Sequence, residues 1–139
     1  MYNRSKKKRN DTMQIGLKKE TTTKVTEANT AVTVKSGTLP VFATPMMIAL
    51  MEEAAASLLE EHLEREETSV GILMNVKHIA ATPVGMNVRA EAEITAIDGR
   101  KITFKVEAFD EKEKIGEGVH ERFIVKSEKF LNKTNGKKS

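Results

Sequence analysis

The sequence predicts an α+β domain in which one long helix packs on an antiparallel sheet. Three observations carry this. Only the stretch from Thr44 to about Glu66 combines a helix start signal with apolar residues at helical spacing. Four alternating or β-branched stretches follow it in succession, and turn-forming residues sit at the joints between them. A chain of 139 residues with 39% hydrophobic content suits one core and one domain.

From Leu17 to Val34, Thr and Val alternate with polar residues, interrupted by Glu27-Ala28-Asn29-Thr30, which predicts a first strand and its continuation. Ser36-Gly37-Thr38-Leu39-Pro40 breaks that stretch. Thr44-Pro45 then announces the helix, because Thr caps helix N-termini well and Pro is favoured at the first helical position. Strands are expected over Ser69–Ile79, Asn87–Asp98, Lys101–Asp110 and Lys114–Val125, forming an antiparallel meander. Pro83-Val84-Gly85 is a turn, Asp98-Gly99 is a two-residue hairpin signal, and Asp110 to Glu113 is a polar loop. No internal repeat is visible.

The formal charge of +3 sits in the ends of the chain. Met1 to Asn10 carries five Lys/Arg and no acid, and Lys126 to Ser139 carries five Lys and one Glu, so the stretch between them is net acidic. The expected organisation is a flexible basic leader over 1–16, a domain over 17–125 and a flexible basic tail over 126–139. An acidic body with 4% aromatics argues against nucleic acid as a partner. Ser5-Lys6-Lys7-Lys8-Arg9 lacks the apolar stretch of a signal peptide, and no segment is long enough to span a membrane, so a cytoplasmic protein is expected. The absence of cysteine excludes disulfides, thiolate metal sites and a cysteine nucleophile. Any chemistry must come from hydroxyls, carboxylates or imidazoles, and three histidines without ligand spacing do not make a metal centre.

Three polar residues fall where apolar ones belong. Along the helix, Ile48, Met51, Ala54, Ala55, Leu58, Leu59 and Leu63 form an apolar stripe, with Glu53, Ser57, Glu60 and Glu64 opposite. Glu52 lands about 40° from Ile48, between Leu59 and Leu63, on the core side. A carboxylate there is paired, protonated, at a cavity edge, or reaches back to water. In the next strand His78 extends the row Val70, Ile72, Met74 and Val76, a position where a lone histidine is more often a satisfied core or rim residue than a catalyst. Gly71, in mid-strand, marks a bulge or a close approach of ligand to backbone. Thr44 is explained by capping alone, yet a helix N-terminus also offers amide donors and partial positive charge to a developing oxyanion. His62 points into the stripe near the helix end and is assigned no role. His120, on the opposite alternation from Val119 and Phe123, is expected at the surface or rim.

The segment Val41-Phe42-Ala43-Thr44-Pro45-Met46-Met47-Ile48-Ala49-Leu50-Met51-Glu52-Glu53-Ala54-Ala55, followed by Ser69-Val70-Gly71 and then His78, resembles the fluoroacetyl-CoA thioesterase-like family of hotdog proteins. The resemblance runs from about Leu17 to Val125. It implies a hotdog fold, with an antiparallel sheet wrapped around one long central helix, and a homodimer with active sites at the subunit interface, further pairing into tetramers being left open. It implies Thr44, Glu52 and His78 as the catalytic trio, Gly71 as a backbone contact near the thioester and Arg122 as a substrate-side basic residue, although a surface arginine fits the last strand equally well. The implied activity is hydrolysis of a short-chain acyl-CoA, with no cofactor beyond the coenzyme A of the substrate. A carrier-protein thioester remains an option. Val34 to Leu39, the expected lid, contains no aromatic residue, so fluoroacetate is not carried over. Two other readings compete: a non-catalytic dimer binding acyl-CoA or another apolar ligand, and a hotdog hydratase or dehydratase. The latter needs an Asp and His pair on or before the helix, and Val41 to Glu61 contains neither.

Overall fold

The computed structural model describes residues 13–138; residues 1–12 of the basic leader and residue 139 lie outside the described residues. Five strands, β1 (Lys18–Lys24), β2 (Glu67–His78), β3 (Asn87–Asp98), β4 (Lys101–Phe109) and β5 (Lys114–Lys126), form one antiparallel sheet in the order β1-β3-β4-β5-β2. Helix α2 (Thr44–Glu60) contacts every strand and lies along one face of the sheet, with a single-turn helix α1 (Ala31–Val34) before it and α3 (Ser127–Asn135) after β5.

The core forms where α2 meets the sheet. Met47, Leu50, Met51, Ala54, Ala55, Leu58 and Leu59 of α2 are buried against Ala90, Ala92 and Ile94 of β3, Ile102, Phe104 and Val106 of β4, and Ile124 of β5. Each large side chain of this set contributes roughly 1.5–3 kcal/mol by leaving water. Glycine on β5 leaves room for the N-terminal end of α2: a Cβ on Gly116 would lie 2.8 Å from Met47 Cε.

The β3-β4 and β4-β5 hairpins form as expected, the first closed by Gly99 and Arg100 with Gly99 at φ +62°. Four local expectations are corrected. Strand β1 ends at Lys24, and residues 27–29 and 31–34 form two short helical turns on either side of an extended Thr30, the first set by a reciprocal capping box of Thr26 and Asn29: Thr26 Oγ1 accepts from Ala28 N at 3.2 Å and Asn29 Oδ1 accepts from Thr26 N at 2.9 Å. These local bonds replace a sheet ladder. Helix α2 stops at Glu60, short of Glu66. Glu60, Glu61 and Glu64 crowd the negative end of the helix dipole, while Leu63, 9% exposed, reaches the core from the following loop. Strand β2 does not join the meander. It pairs with β5, from Glu67 opposite Lys126 to His78 opposite Gly116, and stands at the far edge of the sheet. Finally, the 126–139 tail expected to be flexible contains α3, whose Glu128 in the first turn and Lys133 in the last complement the helix dipole.

Gly71 marks a bulge, as one of its two sequence readings had it: the pairing shifts between Gly71 and Leu73. The shift splits the expected row. Glu67 and Ser69 face inward before it, and Met74, Val76 and His78 turn inward after it, while Ile72 is 50% exposed.

Gly118 lies against the backbone of β2 with no room for a side chain. A Cβ there would lie 2.6 Å from Val76 Cα and collide with Asn75 O, both backbone atoms that cannot swing away. Gly118→Ala is therefore expected to destabilise the protein by about 1–3 kcal/mol. Gly116→Ala, which presses mainly on the flexible end of Met47, should cost less; urea unfolding of the two variants beside wild type measures the difference.

Candidate active site

Thr44 is not the cap of α2. Ala43 takes the cap position, its carbonyl accepting from both Met46 N and Met47 N at 3.0 Å, and Thr44 is the first helical residue with Pro45 behind it. The Thr44 hydroxyl is thereby released from capping and meets His78 Nδ1 at 2.8 Å. His78 is the last residue of β2, which brings it beside the start of α2. Its other ring nitrogen, Nε2, is buried without a hydrogen bond of normal geometry. Burial holds the His78 pKa below its ordinary 6.5, partly offset by the nearby backbone of Ala80, so the ring is neutral at pH 7. A neutral imidazole can accept the Thr44 proton on Nδ1. Beside this pair lies a cavity of about 320 Å³ bordered by Ala31, Ser36, Val41 and Phe42.

Glu52 lies elsewhere. It is eight residues along α2 from Thr44, roughly 12 Å at the helical rise. Its Oε2 is 3.5 Å from Arg122 Nη1, and the carboxylate side chain is 43% exposed. Arg122 is no surface arginine: at 7% exposure it is held by Ser69, whose Oγ accepts from Nε at 2.8 Å and whose carbonyl accepts from Nη2 at 3.1 Å. Burial lowers the pKa of its guanidinium and Glu52 counters that shift. Gly71 forms the floor. A Cβ there would lie 2.6 Å from Glu52 Oε2 and 3.3 Å from Arg122 Nη1, so any other residue would displace the carboxylate. Glu52, Gly71 and the residues after the bulge border a second cavity of about 240 Å³.

His120 belongs to this second cluster, a correction to its expected surface or rim placement. It is 1% exposed, stacks on Phe104 and carries Nδ1 2.8 Å from the Leu73 carbonyl, while Nε2 faces Arg122 Nη1 at 3.2 Å. Only one neutral tautomer satisfies both contacts: Nδ1–H donates to Leu73 and Nε2 accepts from Arg122. The period-two alternation separated His120 from Val119 and Phe123 correctly, but the inward face of β5 is the polar and glycine one, whereas Val119 and Phe123 are 41% and 39% exposed. His120 and Ser69 were thus missed as partners of Arg122, although His120 shares a strand face with it two residues away.

The nominated residues therefore fall into two groups within one chain: Thr44 with His78, and Glu52 with Gly71 and Arg122. His62 lies beyond the end of α2 and joins neither. Among the described residues no cluster of His, Cys, Asp or Glu has the make-up of a metal site, and no helix is long and apolar enough to cross a membrane.

Both His78 and His120 have pKa values below 6.5, chiefly through burial, with Arg122 lowering His120 further. The unfolded chain then binds more protons just below pH 6.5, so stability is fully present above that value and is lost as pH falls toward the depressed folded pKa values. His120→Asn should show a shallower loss of urea midpoint between pH 7 and pH 5 than wild type. An unchanged slope would mean that His120 titrates normally in the folded protein.

Comparison with known proteins agrees with this architecture. The model of the fluoroacetyl-CoA-specific thioesterase family matches residues 25–128. The fluoroacetyl-CoA thioesterase of Streptantibioticus cattleyicolor is 41% identical over 97 residues, 70% of each chain. A solved structure of a fluoroacetyl-CoA thioesterase variant in complex with acetyl-CoA superposes with a TM-score of 0.87 at 32% identity, covering 91% of this chain and 100% of that one. A hot-dog-like protein from Thermanaerovibrio acidaminovorans, 22% identical, shares the fold with a TM-score of 0.83 over 92% of this chain and 95% of that one. A hotdog sheet with α2 across it, matched by the family over most of its length, makes this chain a member of the fluoroacetyl-CoA-specific thioesterase family.

Proposed function

We propose that the protein is a cytoplasmic thioesterase that hydrolyses short-chain acyl-CoA to free acid and coenzyme A, with no cofactor of its own. The observation that carries this reading is the 2.8 Å contact between the Thr44 hydroxyl and His78 Nδ1 at the start of α2, where the hydroxyl is not spent on capping. His78 accepts a proton from Thr44, or from a water in its place, and returns it to the departing thiolate. The amide of Thr44, at the first helical position, has no acceptor within the helix and faces the positive end of the helix dipole, a suitable donor to the thioester oxygen. Glu52, oriented by Arg122 over Gly71, supplies the carboxylate that positions or activates the attacking group. The cavity of about 320 Å³ beside Thr44 is at the small end of ligand pockets, which supports a short acyl group. No aromatic residue in Val34 to Leu39 narrows it further toward a halogenated acyl chain.

The working unit in this reading is a homodimer. A carbonyl carbon bound at Thr44 cannot also touch a carboxylate roughly 12 Å further along the same helix. Strand β2 offers the means of bringing the groups together. Its outer edge has no partner strand among the described residues, and Ile72 and Leu73 within it and Ile79 just past its end are 50%, 43% and 51% exposed. Long apolar edges of this kind pair with another strand. A two-fold axis between Met74 and Asn75 would set Gly71 close to His78 of the partner subunit, joining Glu52 of one chain to the Thr44–His78 pair of the other.

Thiol release from acyl-CoAs of two to eight carbons measures the activity. Turnover is expected to favour the short end, to fall at least about a hundredfold in His78→Ala and in Glu52→Gln, and to change little in Glu53→Gln, whose side chain is exposed. Binding without release of thiol from any of them would favour a ligand-binding dimer. Equal losses in all three variants would leave Glu52 and His78 as structural residues.

A further inference from the structure

Coenzyme A carries three phosphate groups on its adenosine end, and the two clusters above have no cation to give them: Arg122 is 7% exposed and committed to Ser69, His120 and Glu52. A different surface has the needed chemistry. Between α3 and the outer face of β5 lies an open groove of about 410 Å³, bordered by Arg100, Phe123, Lys126, Lys129, Phe130 and Lys133 and by no acidic residue. Lys126, Lys129, Phe130 and Lys133 recur at spacings of three and four, so they share one side of α3 and its entry. The three lysines are exposed and make no ion pair among the described residues, whereas Arg100 is engaged by Glu67 at 3.8 Å. Phe123 and Phe130 are each 39% exposed, presenting aromatic surface beside the cations.

We propose that this groove binds the 3′-phosphorylated adenosine diphosphate end of coenzyme A, which rests on the acyl-CoA thioesterase reading and deepens it. Adenine stacks on aromatic faces, and lysines receive phosphates as mobile point charges. The position is right as well as the chemistry. Phe123 pairs with Val70, the residue pair next to Gly71 and Arg122, and Ser127 N donates to Glu66 O at 2.9 Å, which ties the start of α3 to the start of β2. From the Glu52 cavity the groove is reached around the free edge of β2, a path on the order of 15 Å in sheet spacings and side-chain lengths. An extended pantetheine arm covers that distance. In the β2 pairing proposed above, residues 67–70 run past His78, the end of the partner's strand, so this part of the edge stays open. The groove would make the enzyme selective for coenzyme A thioesters over thioesters that lack the nucleotide.

The test uses the full chain with Lys129→Glu and Lys133→Glu together, both exposed on α3 and away from the catalytic groups. Hydrolysis of the preferred acyl-CoA is compared with that of the same acyl group on pantetheine, and binding of adenosine 3′,5′-bisphosphate is measured by calorimetry. The double variant should raise KM for acyl-CoA at least tenfold with kcat unchanged, leave acyl-pantetheine kinetics as in wild type, and weaken nucleotide binding at least tenfold. Phe130→Ala should move the same quantities in the same direction. Unchanged KM for acyl-CoA, equal changes for both substrates, or nucleotide binding indifferent to the lysines would overturn the proposal. Wild type that hydrolyses neither substrate would refute the thioesterase reading instead, while calorimetry would still decide the groove.

Discussion

The buried guanidinium of Arg122 is the constraint on which the rest of the site depends. A charge at 7% exposure is tolerated only when each of its donors meets an acceptor, and here Ser69, His120 and Glu52 divide that task. Each partner in turn fixes a local feature. Ser69 requires β2 to face inward before the bulge, His120 requires the single tautomer set by the Leu73 carbonyl, and Glu52 requires α2 to lie close enough over Gly71 that no side chain fits between them. The bulge after Gly71 then restores the inward phase for Met74, Val76 and His78. One buried cation thus couples helix position, strand register and the orientation of the Glu52 carboxylate.

Element types were legible in the sequence because their signals are local. The hairpin at Asp98-Gly99 and the strands on either side of it depend on residues that touch in sequence. The position of β2 did not follow, since pairing with β5 rather than β3 is decided by which edge α2 delivers the chain to, and no neighbouring residue encodes that. Local competition also misled: Thr26 and Asn29 bond to each other's backbone and end β1, although the following residues are extended in character.

The site was half legible. Glu52 stands out as a charged residue on the core side of the helix, whereas Arg122 suited the surface of the last strand equally well, and the structure joins the two; Thr44 and His78 are likewise in contact. His120 was misplaced because apolar Val119 and Phe123 suggested that their face was the inner one. On β5 the inner face is instead made of Gly116, Gly118, His120, Arg122 and Ile124, with Gly116 giving room to α2, Gly118 giving room to β2 and His120 serving Arg122. An amphipathic pattern identifies two faces but not which is buried when the outer one carries exposed apolar residues of its own.

The proposed homodimer would unite these features by dividing the site between two copies of the chain. The Thr44–His78 pair and the Glu52–Arg122 pair stand at different points along α2, while the edge of β2, without a partner strand among the described residues, runs between the strand positions Gly71 and His78 that belong to each. Co-purified mixed dimers of a Thr44→Ala chain and a Glu52→Gln chain test this most directly. If each site draws Thr44 from one chain and Glu52 from the other, a random mixture of the two inactive proteins regains about a quarter of wild-type turnover, since half the dimers are mixed and each holds one intact site. If all three residues act within one chain, no mixed dimer contains an intact site and the mixture stays as inactive as its components, which would contradict the account.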